Sequence, residues 1–463
     1  MKFIGREKEM NALQREYQRE GGFVVVYGRR RVGKTTLIKQ FIQGKEALYF
    51  LASEESERQN LNQFTEKLAD FTKQSFLAQS RFENWLDAFK ALVSYEPEKK
   101  KILVIDEFQY LVNGNPAYPS IFQKAWDEIL KENQITVILC GSLISMMTTQ
   151  VLSHSSPLYG RRTAQIRLQP LKFQEFREAF PDKTFSELTE LYAVTGGVPK
   201  YIEFFDNSMT LWENMTDTIL NKSGFLYEEP LFLLEKEVRE PVNYFSIMKV
   251  ISMGNHKIAK IAGSLEQKTN SVMPYLATLI ELYLIEKRIP VTEQNPEKSR
   301  KGLYYINDWF IAFWFQFIYP YRSELEMDNT SYVMNKIQNR FIENHVSYVF
   351  ESISREILTS LCMNGEIDFH ISKVGAYWNN HTEIDVVAVD NDRHQIFAGE
   401  CKYYENPVPA DVYFDLKKKC ESIPEFQGYE IVYGIFSKSG FEPRLEELKG
   451  EKLYLIDKGM LLG

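Results

Sequence analysis

Residues 28–35, Gly-Arg-Arg-Arg-Val-Gly-Lys-Thr, constrain the fold of this chain more than any other stretch. They fit the phosphate-binding pattern G-x-x-x-x-G-K-[ST]. A short apolar run, residues 23–27, precedes the pattern, and residues 35–42 follow it with a helical spacing of apolar side chains. Strand, glycine-rich turn and helix is the order that phosphate binding requires. The sequence therefore predicts a P-loop in an α/β domain with a parallel sheet.

The expected nucleotide contacts lie within and just after this loop. Its glycines allow a tight turn, so that backbone amides converge on phosphate oxygens at the positive end of the following helix. Lys34 is expected to reach the β- and γ-phosphates, and the Thr35 hydroxyl is expected to ligate Mg2+. ATP and Mg2+ are the predicted cofactors. The loop residues assigned to the nucleotide are Gly28, Arg31, Val32, Gly33, Lys34, Thr35 and Thr36.

Composition limits the classes of partner. The chain has 463 residues, enough for about three domains of ordinary size. Its net charge is −8, so any nucleic-acid binding must come from local basic patches. The four cysteines form no C-x-x-C pair, and the first residues contain no apolar leader. The most apolar run, residues 309–319, is about half of a membrane span. We therefore expect a cytoplasmic protein with no membrane partner.

A second nucleotide motif follows at residues 101–107. An unbroken aliphatic run ends in Asp106 and Glu107, which is typical of a buried parallel strand with acids at its carboxyl end. Asp106 is expected to hold Mg2+ through water, and Glu107 to orient the attacking water.

Four further positions are assigned from resemblance to AAA+ and STAND ATPases. Residues 3–9 resemble the segment on the adenine side, which places Arg6 near the nucleotide; the alternative is a solvated charge at a helix start. Ser142, after the strand predicted over 135–140, resembles the sensor that contacts the γ-phosphate. Arg161 is in a position to stabilise phosphoryl charge, in cis or across a subunit interface, or it is a surface charge like Arg162. Residues 196–201 resemble the lid motif, with Pro199 near the base.

Taken in order, residues 28–35, 106–109, 141–142, 157–161 and 196–199 resemble the archaeal-type ATPase family of prokaryotes, a relative of STAND and AAA+ ATPases. The resemblance covers roughly the first half of the chain. It implies ATP binding and slow hydrolysis used as a conformational switch, and it identifies no substrate.

Residues 236–325 resemble a winged helix-turn-helix domain. Helical patterns over 244–251, 257–262 and 271–284 precede two short strands, and the tip between them carries Lys298, Arg300 and Lys301. Such a module presents a helix to the major groove of DNA. The alternative is a module for packing or dimerisation. A hydrophilic linker is predicted at residues 323–329.

The C-terminal region resembles the PD-(D/E)xK nuclease fold. Asp385 is near the start of one predicted strand, and Glu400 and Lys402 end the next, on the same face because side chains alternate. The resemblance assigns Asp385 and Glu400 to the metal, with Glu351 on the preceding helix, and makes Lys402 catalytic. Lys417 is a candidate auxiliary residue, and Ile384 replaces the usual proline. A hairpin with surface charges, or a nuclease fold without activity, are the alternatives.

The predicted architecture has three parts: a P-loop ATPase domain with a helical lid (residues 1–235), the winged helix (236–325) and the nuclease-like domain (326–463). Two functions remain open. The first is an ATP-driven switch coupled to DNA binding and metal-dependent cleavage. The second is a nucleotide-dependent scaffold whose C-terminal domains contact proteins, either a partner or further copies of this chain.

Overall fold

The computed structural model describes residues 3–79, 82–450 and 452–462. These residues form two compact units. The first contains the described residues up to Leu171, with Val198–Glu203 and Phe232–Arg239. The second contains Lys172–Gly197, Phe204–Leu231 and the described residues from Glu240 onward. The domain limits expected at residues 235 and 325 stay a prediction.

A five-stranded parallel sheet forms the centre of the first unit. Its order is β2-β3-β4-β1-β5. The three inner strands are buried along their whole length, which explains their unbroken aliphatic sequences. The predicted parallel α/β sheet is confirmed. The strands are β1 (Phe23–Tyr27), β2 (Ala47–Leu51), β3 (Lys101–Asp106), β4 (Ile135–Gly141) and β5 (Ala164–Arg167).

Helices cover both faces of this sheet. Val25 of β1 belongs to one apolar core and its neighbours Val24 and Val26 to another, as alternation of side chains across a strand requires. The helix Glu229–Glu237 contributes its residues from Phe232 to this unit. The other α-helices are Glu7–Gln18, Lys34–Ile42, Glu57–Thr72, Ser75–Gln79, Trp85–Ser94, Gln109–Gly114, Tyr118–Ala125, Ile144–Met147 and Pro199–Ile202, with π-helical continuations Trp126–Leu130 and Thr148–Leu152.

The middle of the second unit has three helices and then two antiparallel strands. The helices are Pro241–Ser252, Ile258–Ser264 and Thr269–Glu281, and the strands are β6 (Ile285–Arg288) and β7 (Leu303–Ile306). This is the order expected of a winged helix, and the assignment itself stays a prediction.

The aromatic run that follows is helical and largely buried. Its buried part consists of Trp309–Phe313 and the π-helical Trp314–Ile318, and the 3-10 turn Tyr319–Tyr321 follows at the surface. The hydrophilic linker predicted next is wrong, because Arg322–Glu326 is a helix. One apolar side chain in this polar stretch, Leu325, is only 1% exposed, and burial of that side chain anchors the segment. None of the described helices combines the length and apolar character needed to span a bilayer.

A second five-stranded sheet, in the order β12-β11-β10-β9-β8, ends the chain. β8, β9 and β10 run antiparallel, whereas β11 and β12 run parallel to β10. The register pairs Gly399 with Val386, so Asp385 and Glu400 are the next residues of β9 and β10. The strands are β8 (Lys373–Trp378), β9 (Glu383–Asp390), β10 (Gln395–Lys402), β11 (Glu430–Ser437) and β12 (Leu453–Ile456).

The helix Ser347–Met363 precedes this sheet, and the helix Asp411–Glu421 connects β10 to β11. The remaining helices of the second unit are Phe173–Phe176, Phe185–Thr195, Leu211–Met215, Thr330–Gln338, Pro443–Glu446 and Lys458–Leu462, with π-helices Thr216–Leu220 and Ile342–Val346 and 3-10 turns Arg177–Ala179, Pro296–Lys298 and Pro424–Phe426.

Candidate functional site

The P-loop connects β1 to the helix Lys34–Ile42. Gly28 has a φ of 152°, and a Cβ at this position would lie 2.3 Å from the carbonyl oxygen of Leu168. Gly33, just before the helix, has a φ of 92°. Only glycine fits the first position without steric conflict, and glycine adopts the second at least cost. The backbone path therefore requires glycine at position 28 and favours glycine at position 33.

Lys34 is buried against its own loop. Its ammonium group donates to the carbonyl oxygens of Gly28 and Arg29, at 2.8 and 2.9 Å. Burial lowers the pKa of Lys34, and the nearby carboxylates Glu107 and Asp106 partly oppose that shift. A cation in this position, surrounded by backbone, is suited to phosphate oxygens.

Thr35 and Asp106 bring the loop and the end of β3 together. The Thr35 hydroxyl donates to Oδ2 of Asp106 at 2.9 Å, and the Tyr49 hydroxyl donates to the same oxygen. The backbone N–H of Glu107 donates to Oδ1 of Asp106 at 2.9 Å. Burial and the neighbouring Asp106 raise the pKa of Tyr49, which therefore stays a donor. Sequence reasoning missed Tyr49, because only the pairing of β2 with β3 brings it here.

Glu107 is fixed by two polar side chains. The Ser142 hydroxyl donates to Oε2 of Glu107 at 2.7 Å, and the Gln109 amide donates to the same oxygen. Gln109 also lies 3.2 Å from the Ser142 hydroxyl. Ser142 follows β4, which is adjacent to β3, so parallel pairing places both predicted residues at one sheet edge. The structure thus assembles Lys34, Thr35, Asp106, Glu107 and Ser142.

Arg6 is buried, at 6% exposure, and not solvated. Its guanidinium donates to the backbone oxygens of Val32, at 3.1 Å, and Gln169, at 2.6 Å. Pro199 also approaches the loop, since a Cβ on Gly33 would lie 3.7 Å from its Cγ. The structure therefore places both residues against the P-loop, whereas Thr36 and Arg31 are exposed beside it.

The structure does not bring Arg161 to the loop. Its guanidinium pairs with Asp127, with Nε–O distances of 3.1 and 3.0 Å, and donates to the carbonyl oxygens of Pro157 and Tyr159. Within one chain, these contacts support the alternative that Arg161 is a surface charge. A role across a subunit interface stays a prediction.

Glu237 is a residue of this site that the sequence did not reveal. Its carboxyl group lies beside the backbone N–H groups of Ile144 and Ser145 and beside Arg30 and Lys34. Burial is the main cause that raises its pKa to about 7. Among the described residues, Oε2 of Glu237 and Nε of Arg30 are both buried without a hydrogen-bond partner. An acid therefore lies among the groups expected to receive phosphate.

The second cluster is built on β9 and β10. Glu400 is only 4% exposed, and its two oxygens accept from Lys402 at 2.8 Å and Lys419 at 2.6 Å. Oδ2 of Asp385 accepts the backbone N–H of Cys401 at 2.8 Å. Lys417, the expected auxiliary residue, is exposed, and the lysine of this helix that contacts Glu400 is Lys419. Two residues along a helix rotate a side chain by about 200°, so only one of these lysines faces the strands.

Glu351, on the helix Ser347–Met363, completes this cluster. It forms an ion pair with Arg355 at 3.7 Å, and Arg355 donates to the carbonyl oxygen of Asp385 at 2.6 Å. Burial raises the pKa of both Glu351 and Asp385, and the approach of further carboxylates raises them again. The predicted acids are therefore crowded together in one partly buried place.

The ligand atoms of the three acids predicted to bind metal, Glu351, Asp385 and Glu400, do not all lie within 4.8 Å of one another. Within the described part of the chain, one group of three side chains has ligand atoms within 4.8 Å of one another, and it is His370, Asp390 and Asp392. Asp390 there accepts backbone N–H groups of its own turn, which accounts for its position. Both oxygens of Glu400 are meanwhile engaged by lysines.

Comparison with known proteins is consistent with this geometry. Residues 3–205 match a family described as an ATPase domain predominantly from Archaea, and residues 314–419 match a family of archaeal and bacterial proteins of unknown function. The uncharacterized protein MJECL04 of Methanocaldococcus jannaschii is 34% identical over 439 residues, which are 94% of this chain and 95% of that protein. The uncharacterized ATP-binding protein MJ0423 of the same organism is 42% identical over 45 residues, 10% of this chain and 76% of that protein.

Among solved structures, the Walker-type ATPase PABY2304 of Pyrococcus abyssi shares the fold. Its TM-score is 0.52 at 19% identity, over 68% of this chain and 96% of that one. The predicted resemblance to archaeal-type ATPases is confirmed, and with it nucleotide binding by the first unit. The chain belongs to the archaeal P-loop ATPase family and carries, after its ATPase domain, the C-terminal domain of unknown function.

Proposed function

We propose that this chain hydrolyses ATP at its P-loop and uses the nucleotide state to control the binding and metal-dependent cleavage of DNA by its second unit. The observation that carries the ATPase part is the meeting of Lys34, Thr35 and Asp106 with Glu107 and Ser142. The cleavage part is supported by the cluster of Asp385, Glu400 and Lys402.

The ATPase donor set fits Mg2+. A hydroxyl and a carboxylate oxygen, the ligand types that this ion prefers, lie 2.9 Å apart at Thr35 and Asp106. When bound with ATP, Mg2+ would neutralise charge on the β- and γ-phosphates. Lys34 then binds phosphate oxygens in place of its own loop carbonyls. Glu107, held by Ser142 and Gln109, orients the attacking water and accepts its proton.

The nuclease part is supported by topology and by charge. A helix, three antiparallel strands, a second helix and a parallel strand follow one another, and this order brings Asp385 and Glu400 onto neighbouring strands. Asp385, Glu400 and Glu351 supply hard oxygen ligands, and their crowding suits a divalent cation. That cation would activate water for attack on a phosphodiester. Lys402 contacts Glu400 and would stabilise charge on the phosphate.

One observation favours a scaffold without cleavage as the second candidate. Lys402 and Lys419 already engage both oxygens of Glu400, as they would in a nuclease fold that has exchanged its metal for an ion pair. Under this alternative the ATPase still switches, and the second unit contacts other proteins.

The ATPase part is tested by nucleotide titration and steady-state hydrolysis. Wild type is expected to bind ATP and release phosphate, and Lys34→Ala to lose tight binding because the main side-chain charge on the β- and γ-phosphates is gone. The matched control is Lys124→Ala, which removes an exposed lysine of the same unit. Unchanged ATP affinity in Lys34→Ala would remove the assignment.

A further inference from the structure

We propose that a basic and aromatic groove in the second unit binds a single polynucleotide strand and passes it to the acids of the nuclease-like cluster. The groove is a cavity of about 620 Å³. We name it the strand groove and define it by Lys257, Lys260, Arg300, Lys301, Tyr348 and Trp378. Delivery to the acids depends on the proposed nuclease function, whereas binding of the strand does not.

Three of the four cations of the strand groove form no ion pair with any described residue, and the fourth, Lys301, is paired only at long distance. Lys257 and Lys260, at the start of the helix Ile258–Ser264, are exposed and form no ion pair with any described residue. The same is true of Arg300, beyond β6. Lys301 has only long pairs, 3.8 Å from Glu293 and 3.6 Å from Glu425. In a chain with a net charge of −8, three exposed cations without an acidic partner and one weakly paired lysine around one cavity favour a polyanion.

Two aromatic side chains give the strand groove a preference for unpaired bases. Tyr348 is 47% exposed and has no ring partner among the described residues. The Trp378 indole is held by a 3.2 Å hydrogen bond to the carbonyl oxygen of Lys301, beside the cations. Open aromatic faces next to lysine and arginine stack bases of single strands, whereas a duplex keeps its base faces covered. Tyr305 is different, since His256 and Arg288 already contact its ring.

The neighbouring helix argues against a duplex as the main ligand. In a winged helix the second helix of the motif, here Thr269–Glu281, enters the major groove. This helix contains no lysine or arginine along its length, although phosphate contacts dominate affinity for duplex DNA. The positive charge lies instead in the strand groove, at Lys257, Lys260 and Arg300.

The strand groove leads to the acids. Glu383, which lines the cavity, starts β9 two residues before Asp385. Tyr348 lies three residues before Glu351 on the same helix, close to one turn. Partial burial raises the pKa of Tyr348, and the nearby carboxylates Glu351, Glu383 and Asp385 raise it further. A base stacked on Tyr348 would therefore place its flanking phosphates beside the cluster.

Fluorescence anisotropy tests the binding step alone. The probes are a labelled oligodeoxythymidine, the matching oligouridine and a blunt DNA duplex, in EDTA and without nucleotide, so that neither ATP hydrolysis nor cleavage contributes. We expect wild type to bind the single strands at least about tenfold more tightly than the duplex. Tighter binding of either the DNA strand or the RNA strand supports the strand groove and identifies the polymer that it prefers. Equal or tighter duplex binding would overturn it.

Variants locate the site. Replacing both Lys257 and Lys260 by alanine should reduce the slope of log affinity against log salt by about 1.4, since each phosphate contact to a single strand contributes about 0.7. Tyr348→Ala should weaken binding at least about fivefold, and Tyr348→Phe should keep it, because stacking needs the ring. The matched control replaces Lys449 and Lys458, which are exposed and do not line the cavity.

If the Lys449 and Lys458 control loses as much affinity as the groove variants, binding is a general property of the surface, and the proposal is overturned. A chain that binds single strands through the groove residues and cuts none of them would retain the strand groove and remove the nuclease function.

Discussion

The Thr35 hydroxyl lies 2.9 Å from a carboxylate oxygen of Asp106, although 71 positions of sequence separate them. The contact joins the start of the helix Lys34–Ile42 to the end of β3. It exists because β1 and β3 lie on either side of β4, so that their carboxyl ends share one edge of the sheet. A hydroxyl and a carboxylate held together in this way are the expected protein contribution to a magnesium–nucleotide site.

Asp106→Asn should remove the dependence of ATP affinity on Mg2+. The amide keeps the size of the side chain and loses the negative charge that favours a divalent cation. Titrations with ATP in Mg2+ and in EDTA measure this, and wild type should bind at least about tenfold more tightly with the metal. Tyr49→Phe is the control, since it removes a hydrogen-bond donor to Asp106 and leaves the carboxylates of Asp106 and Glu107 in place. A metal response that persists in Asp106→Asn would contradict the assignment.

Glu107→Gln should bind ATP and hydrolyse it about 10² to 10⁴ times more slowly. An amide of the same shape cannot accept the proton of the attacking water, and general base catalysis contributes about this factor. Phosphate release under saturating ATP is the measurement. Glu128→Gln, an exposed acid of the same unit, should keep the wild-type rate. Equal turnover in Glu107→Gln would exclude Glu107 as the residue that orients water.

The parts of the ATPase site that the sequence predicted share one property. Gly28, Lys34 and Asp106 are specified by local patterns whose positions in a parallel sheet follow from topology alone. Tyr49 and Glu237 have no such pattern. Tyr49 reaches Asp106 only through the pairing of β2 with β3, and Glu237 returns from a distant helix. No spacing along the chain indicates either contact.

Two further contacts in the structure could not be predicted from the sequence, and each has a physical cause. Within the chain, Arg161 pairs with Asp127, which lies 34 positions earlier, and no motif in the sequence indicates that pairing. Lys417 and Lys419 are equally basic, and helical phase decides which of them reaches Glu400. The sequence therefore indicates which types of residue form the cluster around Glu400 better than it indicates which lysine pairs with Glu400.

Glu237→Gln should stabilise the protein above neutral pH and not below pH 5. The pKa of Glu237 rises from 4.5 to about 7 in the fold, so the folded state keeps a proton that the unfolded state has already lost. Wild type therefore loses stability as pH rises between these values, whereas glutamine has no proton to lose. We expect a gain of about 1–3 kcal/mol at pH 8 in the free energy of unfolding.

Thermal unfolding of wild type and Glu237→Gln at pH 5 and pH 8 measures the difference. The matched control is Glu235→Gln, an exposed acid two residues earlier on the same helix, which should show no pH-dependent gain. A shift of equal size at both pH values would show that Glu237 is not held in its protonated form.

Lys419→Ala should destabilise the second unit, and Lys417→Ala should not. Lys419 lies 2.6 Å from Glu400, whose side chain is only 5% exposed, so its removal leaves a buried carboxylate with one cation fewer. Because Lys419 is 38% exposed, solvent screening limits the expected loss to about 1–2 kcal/mol. Lys417→Ala should stay within about 0.5 kcal/mol. Unfolding monitored by circular dichroism compares them, and equal losses would place the wrong lysine at the site.

A DNA-cleavage assay of the purified chain tests the coupling of ATPase and nuclease most directly. The substrates are plasmid and single-stranded DNA, and the assay is run with Mg2+, Mn2+ or EDTA and with ATP, ADP or no nucleotide. Wild type should cut only with metal, at a rate that depends on the nucleotide. Lys34→Ala should lose that dependence, Asp385→Ala and Glu400→Ala should lose metal binding, and Lys402→Ala should bind metal without cutting. Absence of metal-dependent cleavage under every condition, in a chain that still hydrolyses ATP, would contradict the coupling and favour the scaffold. Cleavage that survives Asp385→Ala and Lys402→Ala together would place the nuclease site elsewhere.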